Sequence, residues 1–299
     1  MYEYAAYGLA IRSAFRLPEL RTRDAGTADV VVEQGTVEPV PPGPHRGDGR
    51  RRVTAEPGRC RVTYDGIVSV RIEDGSRIVA DPVSEAAPAR PVFRRLLGGQ
   101  VLGIACHQRG ALVLHGSAVG RGADAAVFLG APGAGKSTTA AACHQRGFSL
   151  YDDDVVVVRF VDGAPTVAPG VPQLALDPET AAALGFDANH AAGIDDAADV
   201  AYHRISSRRR TAPAAPSRCY VLTAGDTVAI EPIPPQEALL RLVGSTYTAG
   251  MLADTDAADS NFEQCSRLLE SVPLQSLSRP ADLGRLSDIA DAVEKDFPD

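Results

Sequence analysis

The fold of this chain is decided by one run, Gly130-Ala131-Pro132-Gly133-Ala134-Gly135-Lys136-Ser137, which satisfies the pattern G-x-x-x-x-G-K-[ST]. An apolar segment, Ala125–Leu129, leads directly into this run, and a helical pattern from about Lys136 to Arg146 follows it. Strand, glycine-rich loop and helix in this order are typical of P-loop proteins, in which the loop encloses the phosphates of a nucleotide. The sequence therefore predicts an α/β fold with a P-loop core.

The residue types of the loop suit the binding of ATP with Mg²⁺. Glycine and alanine leave room for backbone N–H groups to turn inward around phosphate oxygens, and the helix that follows adds its partial positive charge. Lys136 is expected to bridge the β- and γ-phosphates and Ser137 to ligate Mg²⁺, and Thr138 is counted among the nucleotide-binding residues. Lys136 is one of only two lysines in the chain. The alternative is an ordinary glycine-rich turn.

Composition and charge exclude several classes of protein. The chain has 299 residues, 44% of them hydrophobic, and a net charge of −8, and its basic runs are not interleaved with aromatic residues as in nucleic-acid binders. No apolar run approaches the roughly 18 residues that span a membrane, and the N-terminus carries no signal segment. The five cysteines form no C-x-x-C pair, which argues against disulfides or zinc. We expect a cytoplasmic protein that binds neither nucleic acid nor membrane.

The part of the chain before the P-loop is rich in β-strand signals. Short β-rich runs between Val30 and Val83 alternate with turn signals such as Asp65-Gly66. Residues 1–88 are therefore predicted to form a small β-rich N-terminal domain, and residues 89–299 the P-loop domain. Within the first of these, Pro39–Arg52 is rich in proline, glycine and arginine and is predicted to be an exposed loop.

Two segments of the P-loop domain have less regular patterns. Helical spacing of apolar residues predicts a helix over Val92–Arg109, which Gly98-Gly99 weakens in the middle. From Asp162 to Pro216 the density of turn residues predicts mainly turns.

Three consecutive aspartates, Asp152-Asp153-Asp154, lie inside the next apolar strand, Ser149–Phe160. Adjacent carboxylates repel one another and are costly to bury unless a cation or a transferring proton occupies the site. One aspartate is expected to hold the Mg²⁺ of the nucleotide and another to accept the proton of a substrate hydroxyl, the two tasks that phosphoryl transfer requires. The alternative is a solvent-exposed strand end or a calcium-like turn.

A histidine, His115, ends the apolar run Ala111–Leu114 just before the P-loop strand. By position alone such a histidine is more often structural than functional.

The order of the motifs along the chain is more specific than any one of them. The run Leu114-His115-Gly116-Ser117-Ala118-Val119, the P-loop, and then Arg146-Gly147-Phe148-Ser149-Leu150-Tyr151-Asp152-Asp153-Asp154 resemble the catalytic core of the HPr serine kinase/phosphorylase family. That family has a histidine-glycine pair, a Walker A loop and an Ala/Ser-Asp-Asp motif in this order.

The resemblance implies the fold of that family, a P-loop kinase core related to phosphoenolpyruvate carboxykinase. It also implies that Asp153 is the general base on the acceptor serine, that Asp154 supports the metal with Ser137, and that His115 lies beside the phosphates. Asp152 stands where the family has a small neutral residue, so it is expected to tolerate substitution best of the three aspartates.

The chain departs from the bifunctional enzymes of this family after the aspartates. Where those enzymes carry a Glu-Ile-Arg-Gly-type segment whose glutamate assists the metal site, this chain reads Val167-Ala168-Pro169-Gly170-Val171-Pro172, which leaves a phosphorylase activity unsupported. The strong resemblance covers about Leu112 to Val158. The segments Tyr7–Leu20 and Pro169–Leu176 look instead like the HPr-kinase-like proteins of peptide natural-product clusters, which include kinases for the C-terminal serine of lasso-peptide precursors.

Motifs and resemblance together predict a Mg²⁺/ATP-dependent kinase that phosphorylates a serine hydroxyl of a peptide or small protein. A kinase of a small-molecule hydroxyl would use the same chemistry on another acceptor. From a different class comes a regulatory module that senses ATP without transferring phosphate, against which the aspartates argue. A GTPase is disfavoured because no N-K-x-D motif is present. Arg204 and Arg208–Arg210 are weaker candidates for a positive charge near the phosphates, and a homo-oligomeric state stays open.

Overall fold

The computed structural model describes residues 1–42, 51–187 and 200–298, together with the backbone of the short strand Gly193–Asp195. These residues form three β-sheets and seven α-helices, a mixed α/β fold as predicted. Most of the loop predicted over Pro39–Arg52, namely 43–50, lies outside the described residues. Within the described ranges, no helix combines the length and the apolar character needed to cross a membrane.

The N-terminal part of the chain folds into an eight-stranded sheet. Its strands are β1 (Tyr2–Ala6), β2 (Leu9–Ser13), β3 (Arg21–Thr22), β4 (Val30–Gln34), β5 (Arg51–Glu56), β6 (Arg59–Tyr64), β7 (Val68–Glu73) and β8 (Arg77–Pro82). They are ordered β3-β1-β2-β4-β8-β7-β6-β5, and only the pairs β2–β4 and β4–β8 are parallel. The sequence does not predict the β1–β2 hairpin, because its turn has Tyr7 at a φ of 56°, a position that usually takes Asn, Asp or Gly.

A helical segment connects this sheet to the P-loop part of the chain. It consists of α1 (Pro91–Arg95), a π-helical stretch over Leu96–Val101 and α2 (Leu102–Gln108), so the helix predicted here is confirmed. Gly98-Gly99 lie in the π-helical stretch. Gly103 lets α2 approach the P-loop sheet closely, since a Cβ at this position would lie 2.9 Å from the Cγ1 atom of Val155.

The second sheet has seven strands and carries the P-loop. Its strands are β9 (Leu112–Arg121), β10 (Asp124–Leu129), β11 (Ser149–Val161), β12 (Ala164–Val167), β16 (Ala215–Ala224), β17 (Ala229–Pro232) and β18 (Leu274–Arg279). They are ordered β12-β11-β9-β10-β16-β18-β17, and β10, β16 and β18 run parallel. The P-loop follows β10 and leads into α3 (Lys136–Gln145), which confirms the predicted order of strand, loop and helix. The later helices are α5 (Pro235–Gly244), α6 (Ala258–Ser271) and α7 (Leu286–Asp296).

A third, small sheet lies in the segment that was expected to consist mainly of turns. It contains β13 (Gln173–Leu176), β14 (Gly193–Asp195) and β15 (Val200–Arg204), and a short helix, α4 (Pro178–Ala183), follows β13. The prediction of turns is wrong for these residues. Each strand has only three to five residues, so an alternation of polar and apolar side chains has no length over which to become visible.

One hydrophobic core joins the N-terminal sheet to the P-loop sheet. It includes Ile11 and Ile72 of the first sheet, Leu97 of the helical segment, and Val113 and Val155 of the second sheet. The rest of the P-loop sheet is covered by α3 and α7 in a second core and by α5 and α6 in a third. The predicted domain boundary at residue 88 falls in the connection between β8 and α1.

The loop Pro169–Pro172 ties the N-terminal hairpin to β11. The Tyr7 N–H donates to the Pro169 carbonyl at 2.6 Å, and the Gly170 N–H donates to the Tyr151 carbonyl at 3.1 Å. A Cβ atom at Gly170 would lie 2.3 Å from the Tyr7 ring and 2.1 Å from the Asp152 carboxylate, so only glycine fits between them.

Replacing Gly170 by alanine should therefore destabilise the protein. We expect Gly170→Ala to lower the free energy of unfolding by about 1–3 kcal/mol, the usual cost of overpacking a filled site. Gly244→Ala is the matched control, because no atom lies within 4 Å of a Cβ placed there and alanine suits its helix. The measurement is urea unfolding of both variants. Equal stability of the two would show that the contact between the hairpin and β11 is looser than described.

Candidate functional site

The candidate site lies in a polar gap between two hydrophobic cores on one face of the P-loop sheet. Along β9, side chains two residues apart share a face. On this face Val113 belongs to the core of the N-terminal sheet and Val119 to the core under α3, and between them stand His115 and Ser117. On the neighbouring strand β11, Asp153 pairs with Ser117. The gap thus collects a histidine, a hydroxyl and a carboxylate.

The P-loop has the backbone of a phosphate cradle. Gly130, Gly133 and Gly135 have φ angles of 145°, 79° and 89°, which side chains larger than hydrogen rarely adopt. Lys136 begins α3 and is 8% exposed, and its Nζ atom donates to the carbonyls of Gly130 at 3.0 Å and Ala131 at 3.2 Å. Burial lowers the pKa of Lys136, although nearby carboxylates act in the opposite direction.

Asp153 lies against the P-loop helix. Its Oδ1 atom accepts a hydrogen bond from the Ser117 hydroxyl at 2.5 Å and its Oδ2 atom one from the Ala175 N–H at 2.9 Å. The Ser137 hydroxyl lies close enough to the same carboxylate to lower its pKa. Burial raises the pKa of Asp153, against the charge of Arg95 and these hydrogen bonds. The sequence had assigned the metal to Ser137 with Asp154, whereas the contact with Ser137 belongs to Asp153.

Asp154 lies beside the histidine. One of its carboxylate oxygens is 3.2 Å from His115 Nδ1, and its side chain is 23% exposed. Its φ of 117° is a strained value for a residue with a side chain, and such strain clusters at functional sites. Burial alone would raise the pKa of Asp154, but the nearby His115 ring and the charge of Arg95 outweigh it, so the pKa lies below the ordinary value.

Asp154 is also linked to the N-terminal sheet. The Gln100 side chain, in the π-helical stretch, lies near the Asp154 carboxylate and lowers its pKa, and the Tyr64 hydroxyl at the end of β6 donates to Gln100 Oε1 at 2.9 Å. The sequence alone does not identify Gln100 or Tyr64 as site residues, because neither belongs to a motif and their contacts join positions that are distant along the chain.

Asp152 is enclosed rather than solvated. It is 3% exposed and accepts hydrogen bonds from the Tyr7 hydroxyl at 2.9 Å and from the backbone N–H groups of Val171 at 2.5 Å and Val155 at 3.1 Å. Burial raises its pKa to about 7, against these hydrogen bonds. The burial of Asp152 and Asp153 excludes the alternative of a solvated strand end, and it gives no support to the expectation that Asp152 tolerates substitution best.

Arg95 supplies the positive charge that faces the aspartates. Its Nη2 atom donates to the Asp153 carbonyl at 3.3 Å, and its guanidinium lies over the Tyr202 ring at 4.5 Å from the centroid. Burial would lower the pKa of Arg95, but the charges of the aspartates, first of all Asp154, outweigh burial and raise it. The sequence does not distinguish Arg95 from Arg94 beside it, and only the fold brings it to β11.

A second arginine lies on the P-loop. Arg279, the last residue of β18, donates from Nη1 to the Ala134 carbonyl at 3.1 Å. A Cβ atom at Gly135 would overlap this guanidinium, which is a further reason for glycine in the loop. Arg279 reaches the P-loop because β16 and β18 pair in parallel, and no local sequence pattern predicts this pairing.

The donor set fits a nucleotide with Mg²⁺. Mg²⁺ in proteins keeps oxygen ligands and is usually held by one or two carboxylates together with substrate phosphates. In the part of the chain that the structure describes, no group of three or more His, Cys, Asp or Glu side chains could hold a metal by itself. Ser137 and Asp153 beside an open phosphate cradle are the partial set that a nucleotide-borne Mg²⁺ requires.

Comparison with known proteins gives likenesses among solved structures. No family model matches the sequence, and no curated protein matches it. Among solved structures, the chain is similar to the Hpr(Ser) kinase/phosphatase from Coxiella burnetii, with 10% sequence identity, a TM-score of 0.32, and coverage of 62% of this chain and 94% of the other. A likeness at this level carries no conclusion about activity, so the functional proposal depends on the geometry of the site.

Proposed function

We propose that this chain is a Mg²⁺/ATP-dependent kinase that transfers the γ-phosphate of ATP to a serine hydroxyl of a peptide or small protein. The observation that carries the proposal is the proximity of Ser137, in the first turn of the P-loop helix, to the buried carboxylate of Asp153, whose pKa the Ser137 hydroxyl lowers. This contact joins the phosphate cradle to the aspartate strand, so that binding groups and proton-accepting groups share one site.

Residues 130–138 would hold the phosphates, and Ser137 with Asp153 would hold the metal. Bound Mg·ATP supplies the phosphoryl group and the positive charge that neutralises it during transfer. The Lys136 ammonium contacts two loop carbonyls in the structure. When ATP binds, it would leave them and contribute a point charge to the β- and γ-phosphates. Burial of Asp153 raises its pKa, and a cation beside it compensates for the hydration that burial removes.

Asp154 is the proposed acceptor of the proton. Its side chain is partly exposed whereas Asp153 is buried, its depressed pKa keeps it ionised at neutral pH, and His115 orients it. Asp154 takes the proton of the serine hydroxyl as the serine oxygen forms its bond to the γ-phosphorus and ADP departs. This proposal exchanges the roles that the sequence alone assigned to Asp153 and Asp154.

The choice of a peptide serine over a small-molecule hydroxyl rests on the resemblance of the motifs, since both acceptors need the same chemistry. A sensor that binds ATP without transferring phosphate needs neither a strained aspartate nor a histidine beside it, and the pair Asp154 and His115 argues against that alternative. Slow consumption of ATP that a serine-bearing peptide accelerates would separate a kinase from a sensor.

Removal of the lysine charge tests the phosphate cradle. Lys136→Ala should lower the rate of ADP formation by about a hundredfold or more, because the charge acts where negative charge develops. Mg·ATP at about a hundred times its Kd should stabilise the wild-type protein by roughly 2.7 kcal/mol, and Lys136→Ala or added EDTA should remove most of this gain. The matched control is Lys295→Ala, which removes the other lysine, near the end of α7. If thermal unfolding showed that Mg·ATP stabilises Lys136→Ala as much as the wild-type protein, the proposed phosphate site would be wrong.

The two aspartates should fail in different ways. Asp153→Asn should weaken Mg²⁺-dependent binding of ATP by about tenfold or more, since it removes a group that orients the metal. Asp154→Asn should keep that affinity and lose about a hundredfold in turnover, the usual effect of removing a general base. Calorimetric titration and ADP release, measured side by side, give the answer. The reverse pattern would restore the assignment made from sequence, and normal turnover of both variants would favour the sensor.

A further inference from the structure

A cleft separates the N-terminal hairpin from the loops beside β11. It has a volume of about 400 Å³, and it is bounded by β1, β2 and β3 on one side and by the loop Pro169–Pro172 and the segment 209–213 on the other. Small residues of the hairpin, Ala5, Gly8 and Ala10, are among its lining. Side chains this small leave room for a peptide backbone to lie close to the sheet.

The charge of the cleft is positive although the protein is acidic. Four arginines line it: Arg21, Arg23, Arg209 and Arg210. The two carboxylates of the lining are compensated by arginines from outside it, since Glu19 pairs with Arg94 at 2.8 Å and Asp29 lies 3.6 Å from Arg109. Among the described residues, no carboxylate forms an ion pair with any of the four cleft arginines. On a chain of net charge −8, such a cleft offers local positive charge to an acidic partner.

The four arginines are not equally free to bind a ligand. Arg23 donates to the Thr27 carbonyl, and Arg210 donates to the Tyr151 hydroxyl at 3.0 Å and to the Gly122 carbonyl. Arg21 and Arg209 are exposed and stand on different walls, one on β3 and the other in the segment joined to Leu150 of β11. Two guanidinium groups on separate walls suit charges that are spread along a chain better than a single compact anion.

We propose that this cleft binds an acidic segment of the peptide acceptor, in extended conformation, through Arg21 and Arg209. The identification of this partner as the acceptor rests on the proposed kinase function; the acidic peptide specificity does not. The wall of the cleft connects it to the candidate site. Gly170 lines this wall, and the next residue, Val171, donates its N–H to Asp152 in the aspartate strand. An acceptor held in the cleft is therefore docked against the loop that fixes this strand.

Binding of a model peptide tests the proposal. The probe is a fluorescein-labelled peptide with a central serine flanked by two glutamates on each side, followed by fluorescence anisotropy at low ionic strength. The double variant Arg21→Glu/Arg209→Glu should bind it at least about tenfold more weakly than the wild-type protein. Arg16→Glu/Arg90→Glu is the matched control, because it makes the same change of charge at two exposed arginines outside the cleft lining, and it should bind within about twofold of the wild type. Thermal unfolding checks that both variants are folded.

Further measurements separate this proposal from the kinase function and from other ligands. Lys136→Ala should bind the peptide as the wild type does, so that loss of ATP binding and loss of peptide binding are distinguishable. Equal weakening by the double variant and by Arg16→Glu/Arg90→Glu would overturn the proposal, because only overall charge would then matter. Displacement of the probe by inorganic phosphate at lower concentration than by unlabelled peptide would overturn it as well. Tighter binding of a single-stranded oligonucleotide that depends on Arg21 and Arg209 would assign the cleft to nucleic acid instead.

Discussion

Three consecutive carboxylates have to be accommodated inside one strand, and the arrangement around the site depends on this constraint. Charges of equal sign on adjacent residues repel, and each loses hydration when the strand is covered. The fold compensates each of the three aspartates in a different way. Asp152 is surrounded by donors, Asp153 faces a serine of the P-loop helix, and Asp154 stays partly exposed beside His115. One repeated residue thereby acquires three environments.

Most of this compensation comes from parts of the chain far from the P-loop. Arg95 reaches β11 from the helical segment, Tyr7 reaches Asp152 from the first hairpin, and Tyr64 reaches Asp154 through Gln100. The N-terminal sheet shares a continuous hydrophobic core with the P-loop sheet, which holds these side chains at fixed distances. A buried carboxylate that loses its partner is costly, so the sheet stabilises the site as well as covering it.

The sequence was informative where the determinants are local. The P-loop, the strand before it and the helix after it follow from one motif, and the strands between Val30 and Ala80 follow from short β-rich runs between turn signals. The hairpin around Tyr7, the small sheet with β13 and β15, and the positions of Arg95 and Arg279 could not be predicted in the same way. Their positions depend on strand pairing and on packing between residues distant in the chain, which a periodicity does not encode.

A P-loop by itself binds phosphates and does not decide what happens to them. Enzyme and sensor can share it, and the difference lies in the groups that face it and in what else can approach. Here the facing groups are Asp153 and Asp154, and the second of these is tied to the N-terminal sheet through Gln100 and Tyr64. The basic cleft is formed by the opposite edge of that same sheet, where β3 and β1 lie. Within the proposed function, the N-terminal sheet therefore has two roles. One edge helps to bind the acceptor, and the other supports Asp154, where the proton is taken up.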